Sequence, residues 1–141
     1  MTDPQAALGV SQLARLKEFI NKRKQKADYY SQVLSQLPLT LPQQLDSTES
    51  AWHLYIIRLQ LNNISKTHRH VFSALRKAGI LVNLHYIPIY KQPYHQETLS
   101  SDSDYPESEK YYHQAISIPL YTNLSETDQQ HVVNTLKVIL S

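Results

Sequence analysis

The densest grouping of side chains able to do chemistry is His85-Tyr86-Ile87-Pro88, followed within six residues by Tyr90, Lys91, Gln92 and Tyr94. Imidazole and phenol groups can donate and accept hydrogen bonds, tyrosine rings offer stacking area, and a carboxamide does both donor and acceptor work. Such a set suits recognition of a polar, flat or hydroxyl-rich ligand. The same residues also admit a purely structural reading, in which the tyrosines pack as amphipathic core and His85 bonds a backbone carbonyl. The residue types alone leave both open.

Other constellations are weaker. Seven histidines invite a metal, yet His68 and His70 are two apart, which on a helix turns them to different faces. His53, His85, His95, His113 and His131 show no HExxH-type spacing, so no metal site is expected. The absence of cysteine removes thiolate catalysis, disulfides and Cys-based metal sites. With only two glycines, Gly9 and Gly79, neither a P-loop nor a Rossmann fingerprint can be built. No Gly-x-Ser-x-Gly elbow occurs either. Lys17, Lys22, Arg23, Lys24 and Lys26 read as a solvated helix face, since 14 basic and 12 acidic residues nearly balance and no RNP-type motif supports nucleic-acid binding.

The elements that must position the loop follow from spacing. Residues 3–37 carry apolar side chains at three- and four-residue steps (Leu13, Leu16, Ile20, Ala27, Tyr30, Leu34, Leu37), which predicts one long helix, capped by Asp3, with Pro4 in its first turn and a possible kink at Gly9. Pro38 and Pro42 stop it. Residues 52–59 predict a largely covered strand. A helix capped by Ser65 buries Val71, Phe72, Leu75 and Ala78 and ends at Gly79, and a second strand is expected over residues 80–87. Residues 96–104 are polar and Ser/Asp-rich, the composition of a mobile connection. Pro106 opens a helix whose acids Glu107 and Glu109 suit its positive end. An edge strand over residues 117–121 and a final helix capped at Ser125 complete the chain. The 141 residues therefore predict one α+β domain, with a sheet of about three strands covered by helices. No apolar run reaches the roughly 18–20 residues of a membrane helix and no signal peptide opens the chain, so no membrane partner and a cytoplasmic location are expected.

Five segments, in this order, resemble the DegT/DnrJ/StrS sugar aminotransferases: residues 2–13 (TDPQAALGVSQL), 51–55 (AWHLY), 79–88 (GILVNLHYIP), 92–94 (QPY) and 116–121 (ISIPLY). The nearest variant is the UDP-4-amino-4,6-dideoxy-N-acetyl-beta-L-altrosamine transaminase group. The resemblance implies the small C-terminal domain of a fold-type-I transferase that uses pyridoxal 5′-phosphate (PLP) to move an amino group from glutamate onto a 4-keto UDP-linked sugar in glycan biosynthesis, and that works as a homodimer. It also implies that the larger PLP-binding domain, with the cofactor lysine, is absent, and that the family's Asn-Tyr-Arg phosphate contact would fall before Met1. No catalytic and no cofactor-binding residue is then expected in this chain, which by itself would be inactive and hold no cofactor. By the same resemblance His85, Tyr86, Pro88, Gln92 and Tyr94 would line the interdomain cleft and contact the nucleotide sugar. The alternative is a stand-alone nucleotide-sugar binding or dimerisation module, prompted by the intact loop and by the apolar stripe, which would self-associate where a missing domain once lay.

Overall fold

A computed structural model describes residues 1–95 and 105–141; the polar stretch 96–104 lies outside the described residues. The chain runs α1 (Asp3–Ala14), α2 (Leu16–Val33), β1 (Leu39–Thr40), β2 (Tyr55–Leu59), a short 3-10 turn (Leu61–Asn63), α3 (His68–Lys77), a second 3-10 turn (Ile89–Lys91), α4 (Pro106–Gln114), β3 (Ala115–Ile118) and α5 (Glu126–Leu140). The three strands form one antiparallel sheet in the order β1-β2-β3, with Leu39 opposite Leu59 and Tyr55 opposite Ile118.

The expected α+β class with a three-stranded sheet is the observed one, although its strands are partly different. Residues 80–87 do not form a strand. Gly79 takes φ +81° and turns the chain, Ile80 and Val82 drop into the core, and Asn83 exchanges two backbone hydrogen bonds with Ser117 (3.1 and 2.8 Å) before the chain leaves the sheet. The apolar alternation of this segment serves the core only up to Val82; Leu84 and Ile87 are exposed. The third strand is instead the two-residue β1, which the prolines at 38 and 42 confine to so short a length and which pairs with β2 at the opposite edge from Asn83.

The first expected helix is two. The break falls at Arg15, whose guanidinium lies 4.7 Å from the Phe19 ring centroid, and Gly9 passes without interruption inside α1. Thr2, not Asp3, is the N-cap, and its amide is met by the Gln5 side chain at 2.9 Å in a capping box. Likewise Thr67, rather than Ser65, caps α3, through a bond from the His70 amide. The helix start at Pro106 and the cap at Ser125 stand where expected, the latter accepting from the Asp128 amide.

The core lies between one sheet face and α2, α3 and α5. In β2, Tyr55, Ile57 and Leu59 point inward while Ile56 and Arg58 face the other side. Ala27, Tyr30 and Leu34 from α2, Val71 and Leu75 from α3, and Val132, Val133 and Leu136 from α5 close over it. The Gln129 side-chain amide is buried and donates to the Lys26 carbonyl at 2.8 Å, fastening α5 to α2. The apolar stripe expected along residues 3–37 is used only in its second half. No residue of α1 is buried, and Leu8, Val10 and Leu13 face outward.

Candidate functional site

The His85–Tyr94 loop leaves the sheet at Asn83 and runs against α4. His85 is half-buried, with its ring edge-on to Tyr86 (centroids 4.6 Å apart, 74° between planes). Its Nε2 is buried and has no hydrogen-bond partner among the described residues. Two other histidines set the contrast. His68 Nε2 lies 3.0 Å from the Ala115 carbonyl and His131 Nε2 lies 3.0 Å from the Ala78 carbonyl, so both do the structural work that His85 does not. An imidazole nitrogen shielded from water and left without a partner is costly.

Pro88 is buried and begins a 3-10 turn closed by the Lys91 amide donating to the Pro88 carbonyl (2.9 Å) and the Gln92 amide donating to the Ile89 carbonyl (3.0 Å). Its fixed φ of −53° suits that position, and the second proline, Pro93, prevents the turn from growing into a helix. Tyr86, 74% exposed, and Tyr94, 86% exposed, present their rings to solvent on either side of the turn.

The structure divides the five expected residues. His85, Tyr86 and Pro88 line one hollow of about 470 Å³, completed by Tyr90 and by Tyr105, Ser108, Tyr111 and Tyr112 from α4 and its N-cap. Gln92 and Tyr94 do not line it; they follow the 3-10 turn, where the Gln92 carbonyl accepts the His95 amide at 2.8 Å.

Beneath the hollow is a cluster that sequence reasoning missed. Tyr90 Oη donates to Glu109 Oε1 at 2.5 Å, Lys91 Nζ sits 2.7 Å from Oε2, and His113 Nε2 lies 3.2 Å from the same oxygen. The Tyr90 ring stacks on Tyr105 (4.6 Å, 17°). The bond from Lys91, then that from Tyr90, holds the Glu109 carboxyl below the ordinary carboxylate value, while burial, then the Glu109 bond, pushes the Tyr90 phenol up. The only signal available in the sequence was the position of Glu109 in the first turn of a helix, which accounts for an acid there without reference to the loop.

No three His, Cys, Asp or Glu side chains come together as a metal site among the described residues. No helix among them is long and apolar enough to cross a membrane.

Comparison with known proteins identifies the family. The sequence model of the DegT/DnrJ/EryC1/StrS aminotransferase family matches residues 1–137. The chain belongs to the DegT/DnrJ/EryC1/StrS aminotransferase family. It is 32% identical to the spore coat polysaccharide biosynthesis protein SpsC of Bacillus subtilis over 99% of its own length and 37% of that protein. Among solved structures it resembles Spr1654 of Streptococcus pneumoniae, described as a sugar aminotransferase (TM-score 0.90, 27% identity, 99% of this chain and 35% of that one). It also resembles Helicobacter pylori PseC, an aminotransferase of pseudaminic acid biosynthesis (TM-score 0.83, 29% identity, 96% of this chain and 36% of that one). Spr1654 is known in apo, PLP and pyridoxamine phosphate forms, in keeping with a PLP-dependent family. The chain thus spans little more than a third of the relatives it matches, and the matched part is a three-stranded antiparallel sheet with helices, as in fold-type-I aminotransferases.

Proposed function

We propose that this chain is the small C-terminal domain of a PLP-dependent aminotransferase that transfers an amino group from glutamate to the 4-keto carbon of a UDP-linked sugar. The altrosamine transaminase type named above is its nearest variant, and turnover requires the larger domain. The observation that carries this reading is the unpartnered His85 Nε2 beside the exposed Tyr86, on the loop whose motif resembles the family. Tyr86 and Tyr94 stack on the base or sugar, His85 donates to a diphosphate or hydroxyl oxygen, Gln92 reads hydroxyls or the uracil edge, and Pro88 fixes the loop.

The residues of this chain do not fit PLP by themselves. The cofactor supplies an aldehyde for a lysine and, once bound, acts as an electron sink. Of the nine lysines, Lys91 is nearest the hollow, and its ammonium is engaged by Glu109 at 2.7 Å rather than presented as an amine. The catalytic lysine and most phosphate contacts are assigned to the larger domain. The role of this chain is to form one wall of the cleft, to orient the sugar and to exclude water from it.

Incubating the 141-residue chain with PLP and reducing with borohydride tests this. The expected result is scattered, substoichiometric labelling and no transamination. Stoichiometric labelling of one lysine with turnover would overturn it.

The second reading is a nucleotide-sugar binding or dimerisation module without catalysis, favoured by the outward-facing Leu8, Val10 and Leu13 of α1, which invite a homo-oligomer. Tight UDP-sugar binding by the isolated chain, together with a discrete dimer in sizing experiments, would favour it over the first, because half a cleft binds at about millimolar strength.

A further inference from the structure

The loop from His85 to Tyr94 has few local bonds with which to hold its shape. The 3-10 turn has only two internal backbone bonds, and Tyr86 and Tyr94 are exposed on either side of it. What fixes the turn comes from outside the loop. Glu109 lies in the first turn of α4, its side chain only 17% exposed, and both of its oxygens are used by the two turn residues Tyr90 and Lys91. His113, one helical turn further along α4, backs the same oxygen. The Tyr90 ring is clamped against Tyr105, and Lys91 Nζ lies 5.4 Å from the Tyr112 ring centroid, so aromatic contacts from α4 and its N-cap steady both ends of the latch.

We propose that Glu109 is a positioning residue: from α4 it latches Tyr90 and Lys91, and so sets His85, Tyr86 and Pro88 on one side of the turn and Gln92 and Tyr94 on the other for a nucleoside diphosphate sugar. The ligand half of this statement rests on the function proposed above; the latch does not. Glu109 never touches the ligand. A carboxylate is needed because only an ionised acid accepts from a phenol and an ammonium at once with charge-assisted strength. Glutamine keeps the length but offers one oxygen, and turns a donor toward Lys91 and His113.

Hydrogen exchange of the full chain, with and without uridine diphosphate at millimolar concentration, tests both halves. In the unaltered chain the amides of Lys91, Gln92 and His95, each donating to a loop carbonyl, should be protected, and uridine diphosphate should slow them further. Glu109→Gln should speed their exchange by about tenfold or more, the loss of one or two charge-assisted bonds, and abolish the response to uridine diphosphate, while amides of α2, α5 and the sheet keep their rates. Tyr90→Phe, which keeps the ring and its stack, should produce part of the same change, and the double variant should be no worse than Glu109→Gln alone. Unchanged loop exchange in both single variants would overturn the latch. Faster loop exchange in the variants, with no response of the unaltered chain to uridine diphosphate, would uphold the latch and overturn the nucleotide reading. A Glu109→Gln chain that unfolds as a whole leaves Tyr90→Phe to decide in the same two ways.

Discussion

Tyr30 and Tyr55 on one side of the molecule, and Tyr86 and Tyr94 on the other, put one side chain to two uses. The first pair is fully buried, with centroids 5.2 Å apart; Tyr30 Oη donates to the Pro119 carbonyl at 3.1 Å, and Tyr55 Oη shares a 2.8 Å bond with Ser31. Every polar atom there is answered, and burial raises both phenol pKa values. The second pair is exposed and packs edge-on against the neighbouring imidazoles of His85 and His95. A tyrosine whose ring and hydroxyl are satisfied by its own chain is structural; one whose ring is offered to solvent beside an unpartnered imidazole nitrogen is available to a ligand.

Breaking the buried side should have the largest effect. Tyr30→Ala removes a ring from the centre of the core and is expected to cost about 3–5 kcal/mol in urea unfolding, enough to threaten a domain of this size. Tyr30→Phe should cost roughly 1 kcal/mol, because it leaves the Pro119 carbonyl without its donor. Tyr55→Phe should cost less, since the Ser31 hydroxyl still donates to the Ala27 carbonyl at 2.9 Å. These two phenyl variants sharpen the comparison by separating ring burial from hydroxyl satisfaction.

The pH dependence differs between the two regions. The phenols of Tyr30 and Tyr55 are raised, so their stabilising contribution is complete below about pH 10 and is lost as the pH rises beyond it. Glu109 is lowered from 4.5, so the contribution of the latch is present above that value and is lost as the pH falls through its lower folded pKa. Lys91, Tyr90 and His113 face it. Loop amide protection, followed by exchange below pH 4.5, should decline before the core amides do. The smallest effect is expected at the exposed pair. Tyr86→Ala and Tyr94→Ala should stay within about 0.5 kcal/mol of the unaltered chain by the same urea measurement.

Local chemistry made much of this legible. The helix stop at Gly79, the start at Pro106 and the cap at Ser125 depend on one or two residues and stand where their types place them. The grouping of His85, Tyr86 and Pro88 was legible for the same reason, because residues so close in sequence cannot be far apart. What was hidden depended on distant partners. The Tyr90–Glu109 bond joins residues 19 apart across a connection of no periodicity. Residues 80–87 look like a strand because apolar alternation does not say whether a neighbour is available beyond Asn83. The start of the stripe, Leu13 and Leu16, is helical in period yet exposed among the described residues, since periodicity fixes a face and not its partner.

The proposed function requires the exposed tyrosine loop to be the ligand-binding side of the molecule. Titrating the 15N-labelled chain with uridine diphosphate and following each amide resonance tests this directly. Shifts confined to residues 84–94 and the first turn of α4, saturating at millimolar concentration and absent in Tyr86→Ala, are the predicted result. Shifts elsewhere, or none at all, would contradict it.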